Sequence, residues 1–417
     1  MEALNSCVLG LDIHRDEVVA CLLTGELDLT PMPEHRTFST KHTGLTQLRE
    51  WVIQANCHLV AMESTGIYWL PVYEMLEDCF DSDIDLLVVN ARHVKNLPGR
   101  KTDIRDAQWL ATLLRAGLLR GSFIPAKQWR ELREYTRYRK AIVRDITTQK
   151  NRIDKMLQKH GFKLSEFLRD IFGLSGSAVI KTLYTNGIIT RMDLERDLHR
   201  SVQYKANDIL LAMNGTLLVS SRQILKSMVE HLNVLQSHLC EVEASIDNIT
   251  AQHDEAMSLL VSIPGISTTS AAAILSEIGN DMTKFPTSEH LASWAGLCPG
   301  NNTSAGKSKN AHITKGNPYL KSMLCEVAWS ITRNRDSYLA NWYRRIKVHK
   351  GAKRAIVALA RKILVMIYTM LKHKSYYDNE IYELRRHQSE QKRADRMIRE
   401  LTRLGYDVTA PEPLIST

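Results

Sequence analysis

Four acidic residues near the start of the chain have types and spacings that can do chemistry. Asp12 interrupts the apolar run CVLGLDI (7–13). Strand alternation puts Leu9, Leu11 and Ile13 on one face and Gly10, Asp12 and His14 on the other. An acid in so apolar a strand is costly unless it is paired or binds a cation. Glu63 closes a second apolar run, LVAMES. Asp103 and Asp106 open a helical stretch in KTDIRDAQWL; at i, i+3 they share a helix face, with Cβ atoms ~5–6 Å apart. Gathered together, these hard oxygen donors suit Mg²⁺, which takes one or two carboxylates plus water and substrate phosphate. Two such ions ~3.5–4 Å apart activate a nucleophile and stabilise a leaving oxygen in phosphodiester chemistry. Singly, each acid has an ordinary reading: an N-cap for Asp103, a first-turn acid for Asp106, a turn residue for Asp12. It is their convergence that would make a metal site. Arg100, Lys101 and Arg105 flank the pair and suit phosphates, although cations near acids also simply balance charge.

The elements that must bring these acids together are legible in the pattern. Residues 7–13, 17–24 and 35–41 read as three strands, the first two a hairpin. A helix follows at 43–55, a strand at 58–64, a helix at 66–77, a strand at 84–90 and a helix at 103–117. The order β-β-β-α-β-α-β-α implies a mixed sheet with an antiparallel edge. It is the order of the RNase H-like fold, in which the first and fourth strands are neighbours and the last helix packs across them.

The chain has 417 residues, which at ~150 residues per domain suggests two or three domains. It is 44% hydrophobic and 24% charged, a composition of packed proteins rather than disordered or fibrous ones. No apolar run approaches the ~18–20 residues of a membrane span, and the N-terminus lacks the pattern of a secretory signal. Seven scattered cysteines, an odd number without metal-ligand spacing, argue against a disulfide scaffold or zinc site and for a reduced, cytoplasmic protein. The net charge of +9 is unevenly spread. Residues 1–126 hold 11 basic and 17 acidic residues, a balance of −6; residues 127–160 hold 11 and 4, giving +7; residues 337–377 hold ten basic residues and no acid. One-sided blocks favour a polyanion partner, namely nucleic acid, over a merely solvated face. Tyr135, Tyr138, Trp342 and Tyr343 lie among these charges, where they can stack on bases or belong to the core.

Beyond residue 125 strand signals vanish. A basic helix spans roughly 127–160, with shorter helical pieces over 163–213. Leu225, Met228, Leu232, Leu235, Leu239, Val242, Ile246 and Ile249 then step by alternate threes and fours, an a/d seam. The seam implies either a coiled-coil arm joining protomers or a hairpin within the chain against 127–160. LVSIPGISTTSAAAILSEIG (260–279) has the form helix, Pro-Gly turn, helix; such a helix-hairpin-helix can offer backbone N–H groups around Gly265 to a phosphate. Residues 297–315 form a polar, Gly- and Lys-containing loop, including Lys307 and Lys309, of the kind that tends to be functional. Helices follow at about 316–334 and 339–373, with a charged helical tail over 379–405. The expected organisation is a catalytic domain at 1–125, a basic helical and coiled-coil region at 126–257, an all-α C-terminal domain at 258–375, and a tail at 376–417.

Several ordered motifs resemble one family. GLDIH around Asp12, AMEST around Glu63 and KTDIRDAQWLA carrying Asp103 and Asp106, together with IPGISTTSAAAILSEIG, FPTSEHLASWAGLCPGNNTSAGK and ITKGNPYLKSMLCEVAW, are similar to the DEDD-type transposases of bacterial insertion sequences. That group includes pilin-inversion recombinases and bridge-RNA-guided recombinases. The resemblance implies a RuvC-like, RNase H-like N-terminal domain whose Asp12, Glu63, Asp103 and Asp106 hold Mg²⁺. It also implies a C-terminal domain in which Ser304, with Ser308 as the alternative, attacks DNA and forms a phosphoserine link. A noncoding guide RNA would pair with donor and target DNA, and the protein would act as a dimer or tetramer. A serine hydroxyl is a weak nucleophile that needs a base or metal, and TSAGKSK carries no adjacent His or Asp, so the site would be composite. Three other readings compete. A metal-dependent nuclease or junction resolvase would use water and leave Ser304 dispensable. An actin-like nucleotide-binding protein needs a Gly-rich turn where this chain has HRDEVV. A non-catalytic RNA-binding scaffold gives no reason for four acids to converge.

Overall fold

The apolar runs at the N-terminus form a five-stranded mixed sheet, as the alternation predicts. Strands β1 (Cys7–Ile13), β2 (Glu17–Thr24), β3 (Met32–Ser39), β4 (Leu59–Glu63) and β5 (Asp85–Val89) lie in the order β3-β2-β1-β4-β5. β1 pairs antiparallel with β2 and parallel with β4, which pairs parallel with β5. The structure is a computed structural model that describes residues 2–64, 66–89, 103–299, 302–304, 307–310, 313–334 and 337–406. The chain divides into two compact units, Met1–Ile124 and Pro125–Thr417. The first is the mixed α/β arrangement expected of an RNase H-like domain; the second is mostly helical.

Each face of the sheet is buried for a different reason. Leu9, Leu11 and Ile13 join Val18, Ala20, Leu22, Val60, Met62 and Val88 in a core closed by helices α1 (His42–Gln54) and α2 (Trp69–Glu77). Val8, Val19, Cys21, Leu23 and Ala61 form the opposite core with Ala107, Ala111 and Leu114 of α3 (Asp103–Arg115). This second face is the one that carries Asp12.

The second unit begins with two long helices, α4 (Lys127–Lys159) and α8 (Val219–Thr250), which pack against each other. The shorter α5 (Leu174–Asn186), α6 (Arg191–Asp197) and α7 (Ala206–Ala212) lie between them in sequence. Leu225 and Leu232 of the heptad seam are buried in one cluster with Ile153 and Leu157 of α4. The amide of Gln149 donates to the Met228 carbonyl at 2.9 Å, and Arg139 reaches Glu243 at 2.6 Å. Of the two readings of the seam, the hairpin within the chain is the one seen.

The rest of this unit comprises α9 (Asp254–Val261), α10 (Thr268–Ile278), α11 (Ser288–Trp294), α12 (Pro318–Arg333), α13 (Tyr338–Lys350), α14 (Ala352–His373) and α15 (Asn379–Arg403). Two expectations need correcting. Strand structure does not vanish after residue 125, because the loop at 297–315 contains a short antiparallel ribbon, β6 (Asn302–Ser304) and β7 (Lys307–Asn310). Its residues are all polar, so no apolar alternation marks it. The helix expected over 339–373 is two helices, broken at Gly351, whose φ of +78° is left-handed and ends α13.

Candidate active site

Asp12 is held where the sequence implied, on an otherwise apolar strand, with 7% of its surface exposed. β1 and β4 are in register as Leu9–Val60, Gly10–Ala61 and Leu11–Met62. Continued by one residue, that offset sets Asp12 beside Glu63. Alternation puts Glu63, with Ala61 and Leu59, on the sheet face of Gly10 and Asp12. Because the two strands are parallel, both acids stand at the same end of the sheet.

Helix α3 crosses this face in a fixed direction. Its last residue, Arg115, accepts from the N–H groups of Leu4 and Asn5 at 2.8 and 3.2 Å, and its guanidinium donates to the carbonyls of Ser6, Gly25 and Glu26. The C-terminal end of α3 is thereby tied to the start of β1, so its N-terminal end points toward Asp12. Gly10 makes the close approach possible: a Cβ there would lie 2.2 Å from the Ala107 carbonyl oxygen and 2.6 Å from the Ala111 nitrogen. From that point of approach, Asp12 is two strand residues onward, ~6.6 Å. Asp103 is one helical turn back from Ala107 in the same direction, ~6 Å. Asp106, half-buried, adjoins Ala107.

The donor set is chemically right for a hard divalent cation: Asp12 is nearly closed off from water, and Glu63 and the start of α3 lie at its end of the sheet. His14 stands beside it, Nε2 at 3.4 Å from Asp12 Oδ2. The alternation of β1 puts His14 on this face without giving it a part in the site; its i+2 spacing from Asp12 is the signal that could have found it. Among the described residues, which include Asp12, Glu63, Asp106 and His14, no three of His, Cys, Asp and Glu gather closely enough to hold a metal ion, so the expected convergence of carboxylates is not seen there; the Asp103 side chain is outside that set. Arg100 and Lys101 lie outside the described residues, and Arg105 is described only as part of the α3 backbone.

In the second unit Ser304 is the last residue of β6 and pairs with Lys307; Ser308 pairs with Thr303, and Lys309 follows on β7. Only Ala305 and Gly306 separate Ser304 from Lys307, so this serine stands at the tip end of the ribbon. The base of the ribbon is pinned by a Pro299–Ile313 bridge and by the Thr314 N–H donating to the Cys298 carbonyl at 3.1 Å. Gly265 has φ +96° and a packing role: a Cβ would meet Ile331 Cγ1 of α12 at 2.6 Å.

The basic blocks behave differently from each other. In the N-terminal half of α4 the charges are committed internally: Arg130 donates to the Pro125 carbonyl, Arg133 and Arg137 bind Glu277, and Lys140 donates to Ser322, whereas Arg144, Arg152, Lys155 and Lys159 are exposed. A cleft of about 410 Å³ beside them is lined by Arg144, Thr269, Tyr319 and Met323 among others. At the α13–α14 turn, by contrast, Arg344, Arg345, Lys347, Lys350, Lys353 and Arg354 are set mostly toward solvent. Of the aromatics, Tyr138 is 55% exposed while Tyr343 is buried; Trp342 lies under the Lys362 ammonium at 5.3 Å.

The family model of the DEDD transposases of IS110 matches residues 9–162, and that of the IS116/IS110/IS902 transposase family matches residues 257–344. An insertion element IS110 protein of Streptomyces coelicolor is 26% identical over 68% of this chain and 73% of its own length. The transposase for insertion sequence element IS1111A of Coxiella burnetii is 21% identical over 89% of this chain and 91% of its own. A pilin gene-inverting protein of Moraxella bovis is 31% identical over 33% of this chain and 43% of its own. No described helix is long and apolar enough to cross a membrane. The chain thus matches, in order, two transposase family models of the IS110 group of insertion sequences.

Proposed function

We propose that this protein cuts and rejoins DNA at the ends of an insertion sequence, with Asp12, Glu63, Asp103 and Asp106 holding Mg²⁺ and Ser304 as the nucleophile. The observation that carries this reading is the strand register: parallel neighbours β1 and β4 carry Asp12 and Glu63 near their C-terminal ends on one face, and the acid-bearing end of α3 runs toward that same edge. When bound, Mg²⁺ supplies Lewis-acid stabilisation of charge on the phosphate and leaving oxygens. The four carboxylates fix its coordination and hold the proton released by the attacking group. Ser304 Oγ forms a bond to phosphorus as one phosphorus–sugar oxygen bond breaks, and the departing oxygen takes up a proton. The phosphoserine link keeps the phosphodiester energy, so a free sugar hydroxyl from the partner strand can reverse the step. Exchange of strands follows without hydrolysis.

The family resemblance adds a noncoding RNA as the guide pairing with donor and target DNA, and a dimer or tetramer that pairs the sites. The deciding experiment is covalent trapping. Purified protein, RNA transcribed from the element's flank, Mg²⁺ and a labelled duplex spanning the element end give a protein–DNA species that survives SDS. Ser304→Ala abolishes it, and omission of the RNA lowers its yield. A Ser304→Ala protein that still recombines DNA overturns the serine assignment and leaves the water-using nuclease. If the adduct moves to Ser308→Ala sensitivity, the alternative serine is the nucleophile.

A further inference from the structure

A buried ionic cluster reaches, through Asn317, the end of the segment that carries the Ser304 ribbon. Glu277, in the last turn of α10, is 2% exposed. Arg137 grips it with both arms of its guanidinium, at 2.8 Å to Oε1 and 3.0 Å to Oε2. Arg133 approaches Oε2 at 3.2 Å and also donates to the Ser276 and Glu277 carbonyls at 3.1 and 2.9 Å, so it caps the C-terminal end of α10 as well. The third partner is Asn317, whose Nδ2 donates to Glu277 Oε2 at 2.6 Å.

Asn317 has a second task. Its Oδ1 accepts from the N–H groups of Tyr319 and Leu320 at 3.0 and 3.1 Å, capping α12, and its own N–H donates to the Trp294 carbonyl at 3.2 Å. It is therefore the last residue of the neck from which the ribbon projects. That neck is closed by backbone against backbone: a Cβ on Gly316 would lie 2.2 Å from the Gly296 nitrogen. Replacing a buried ion cluster by apolar groups is often neutral or stabilising, so stability alone does not account for a carboxylate here. What the cluster fixes is direction, since a carboxylate saturated by a bidentate arginine and an amide has one orientation.

We propose that Glu277, through Asn317, is a positioning residue that sets the ribbon's neck and so places the strand that carries Ser304; this rests on the serine assignment above. Asn317→Ser separates positioning from folding. Serine caps helices about as well as asparagine, so α12 stays capped while the tie to Glu277 is cut. Two quantities are read on the full-length protein: the single-turnover rate of the SDS-stable adduct with the labelled duplex, flank RNA and Mg²⁺, and amide hydrogen exchange at Thr314 and Asn317. Ser337→Ala, which removes the N-cap of α13, serves as a control that loses a cap without touching the cluster. Asn317→Ser is expected to slow adduct formation on the order of 10²-fold and to speed exchange at both amides. Its DNA affinity stays at the wild-type value, its Tm falls by a few degrees with the lost bond to Glu277 but leaves the protein folded at the assay temperature, and Ser337→Ala keeps the wild-type rate. With Ser304→Ala free of adduct, an Asn317→Ser rate within ~2-fold of wild type overturns the proposal. If instead Ser304→Ala still forms adduct, the serine assignment fails, and exchange alone decides the neck: unchanged exchange overturns the positioning role, faster exchange sustains it.

Discussion

Single atoms decide whether the carboxylate site can form. Gly10 has no room for a side chain, so Gly10→Ala drives a methyl group into the α3 backbone and forces the helix off the sheet. The expected loss is about 1–3 kcal/mol of stability, read as a lower melting transition. Calorimetric titration with Mg²⁺ is expected to weaken in the same variant, because Asp103 and Asp106 travel with the helix. Asp12→Asn keeps size and removes charge. Its adduct rate is expected to fall by more than the ~10–100-fold that loss of an outer-sphere partner costs, with the fold intact by circular dichroism. A different residue-scale effect concerns Cys7 at the start of β1. A hydrogen bond with Cys57 brings the Cys7 thiol down to about 7, with burial opposing and His58 assisting, while Cys57 is itself pushed up. Cys7 is half-buried. Its thiolate therefore forms above about pH 7, and its alkylation by iodoacetamide is expected to reach half its limiting rate there. In Cys57→Ala that midpoint rises toward the ordinary thiol range; an unchanged midpoint refutes the pairing.

At the scale of elements, the α4–α8 hairpin is the second unit's spine, and Leu232, 4% exposed, is one of its rivets. Leu232→Ala is expected to cost about 2–5 kcal/mol, measured by urea unfolding; a loss under ~1 kcal/mol would mean that the seam is filled by something other than α4. The same hairpin marks how far sequence pattern reaches. β2 is bounded by residues 17–24 in the apolar pattern and in the structure alike, and α3 begins at Asp103 in both. β2 is legible because both its faces are buried, which makes a continuous apolar run, and α3 because it lays one apolar face on the sheet. The seam residues are equally visible, but heptad spacing does not say which helix fills it. The β6–β7 ribbon is invisible for a different reason: it is polar throughout and held by backbone bonds at its neck, so no hydrophobic period betrays it. Glu277 could not be read at all. An acid in SEIG looks solvated, and only the folded chain brings Arg133, Arg137 and Asn317 to it from 144, 140 and 40 residues away. Strand order puts Asp12 and Glu63 on one face and at one end of the sheet, but among the described residues Asp12, Glu63 and Asp106 do not gather closely enough to hold an ion.

Across the whole molecule, the question is where a polyanion is met. Net charge does not answer it, because much of the positive charge in α4 is turned inward. The α13–α14 turn is the opposite case. Lys347, His349 and Lys350 lie in the last turn of α13, where cations complement the helix dipole. Lys353 and Arg354 lie in the first turn of α14, where the dipole disfavours them. Six Lys/Arg side chains fall between residues 344 and 354 with no acid from 337 to 377, an arrangement that costs stability and that bound phosphates relieve. Neutralising Lys350, Lys353 and Arg354 to glutamine is therefore expected to leave the fold unchanged or slightly more stable. Binding to a labelled duplex weakens, and the slope of log K against log salt becomes shallower by ~0.9 for each phosphate no longer neutralised. Neutralising Arg133 and Arg137 instead lowers Tm and changes that slope less, since both cations are engaged by the buried Glu277. If the triple variant keeps the wild-type salt slope, DNA does not lie along this turn, whatever its charge.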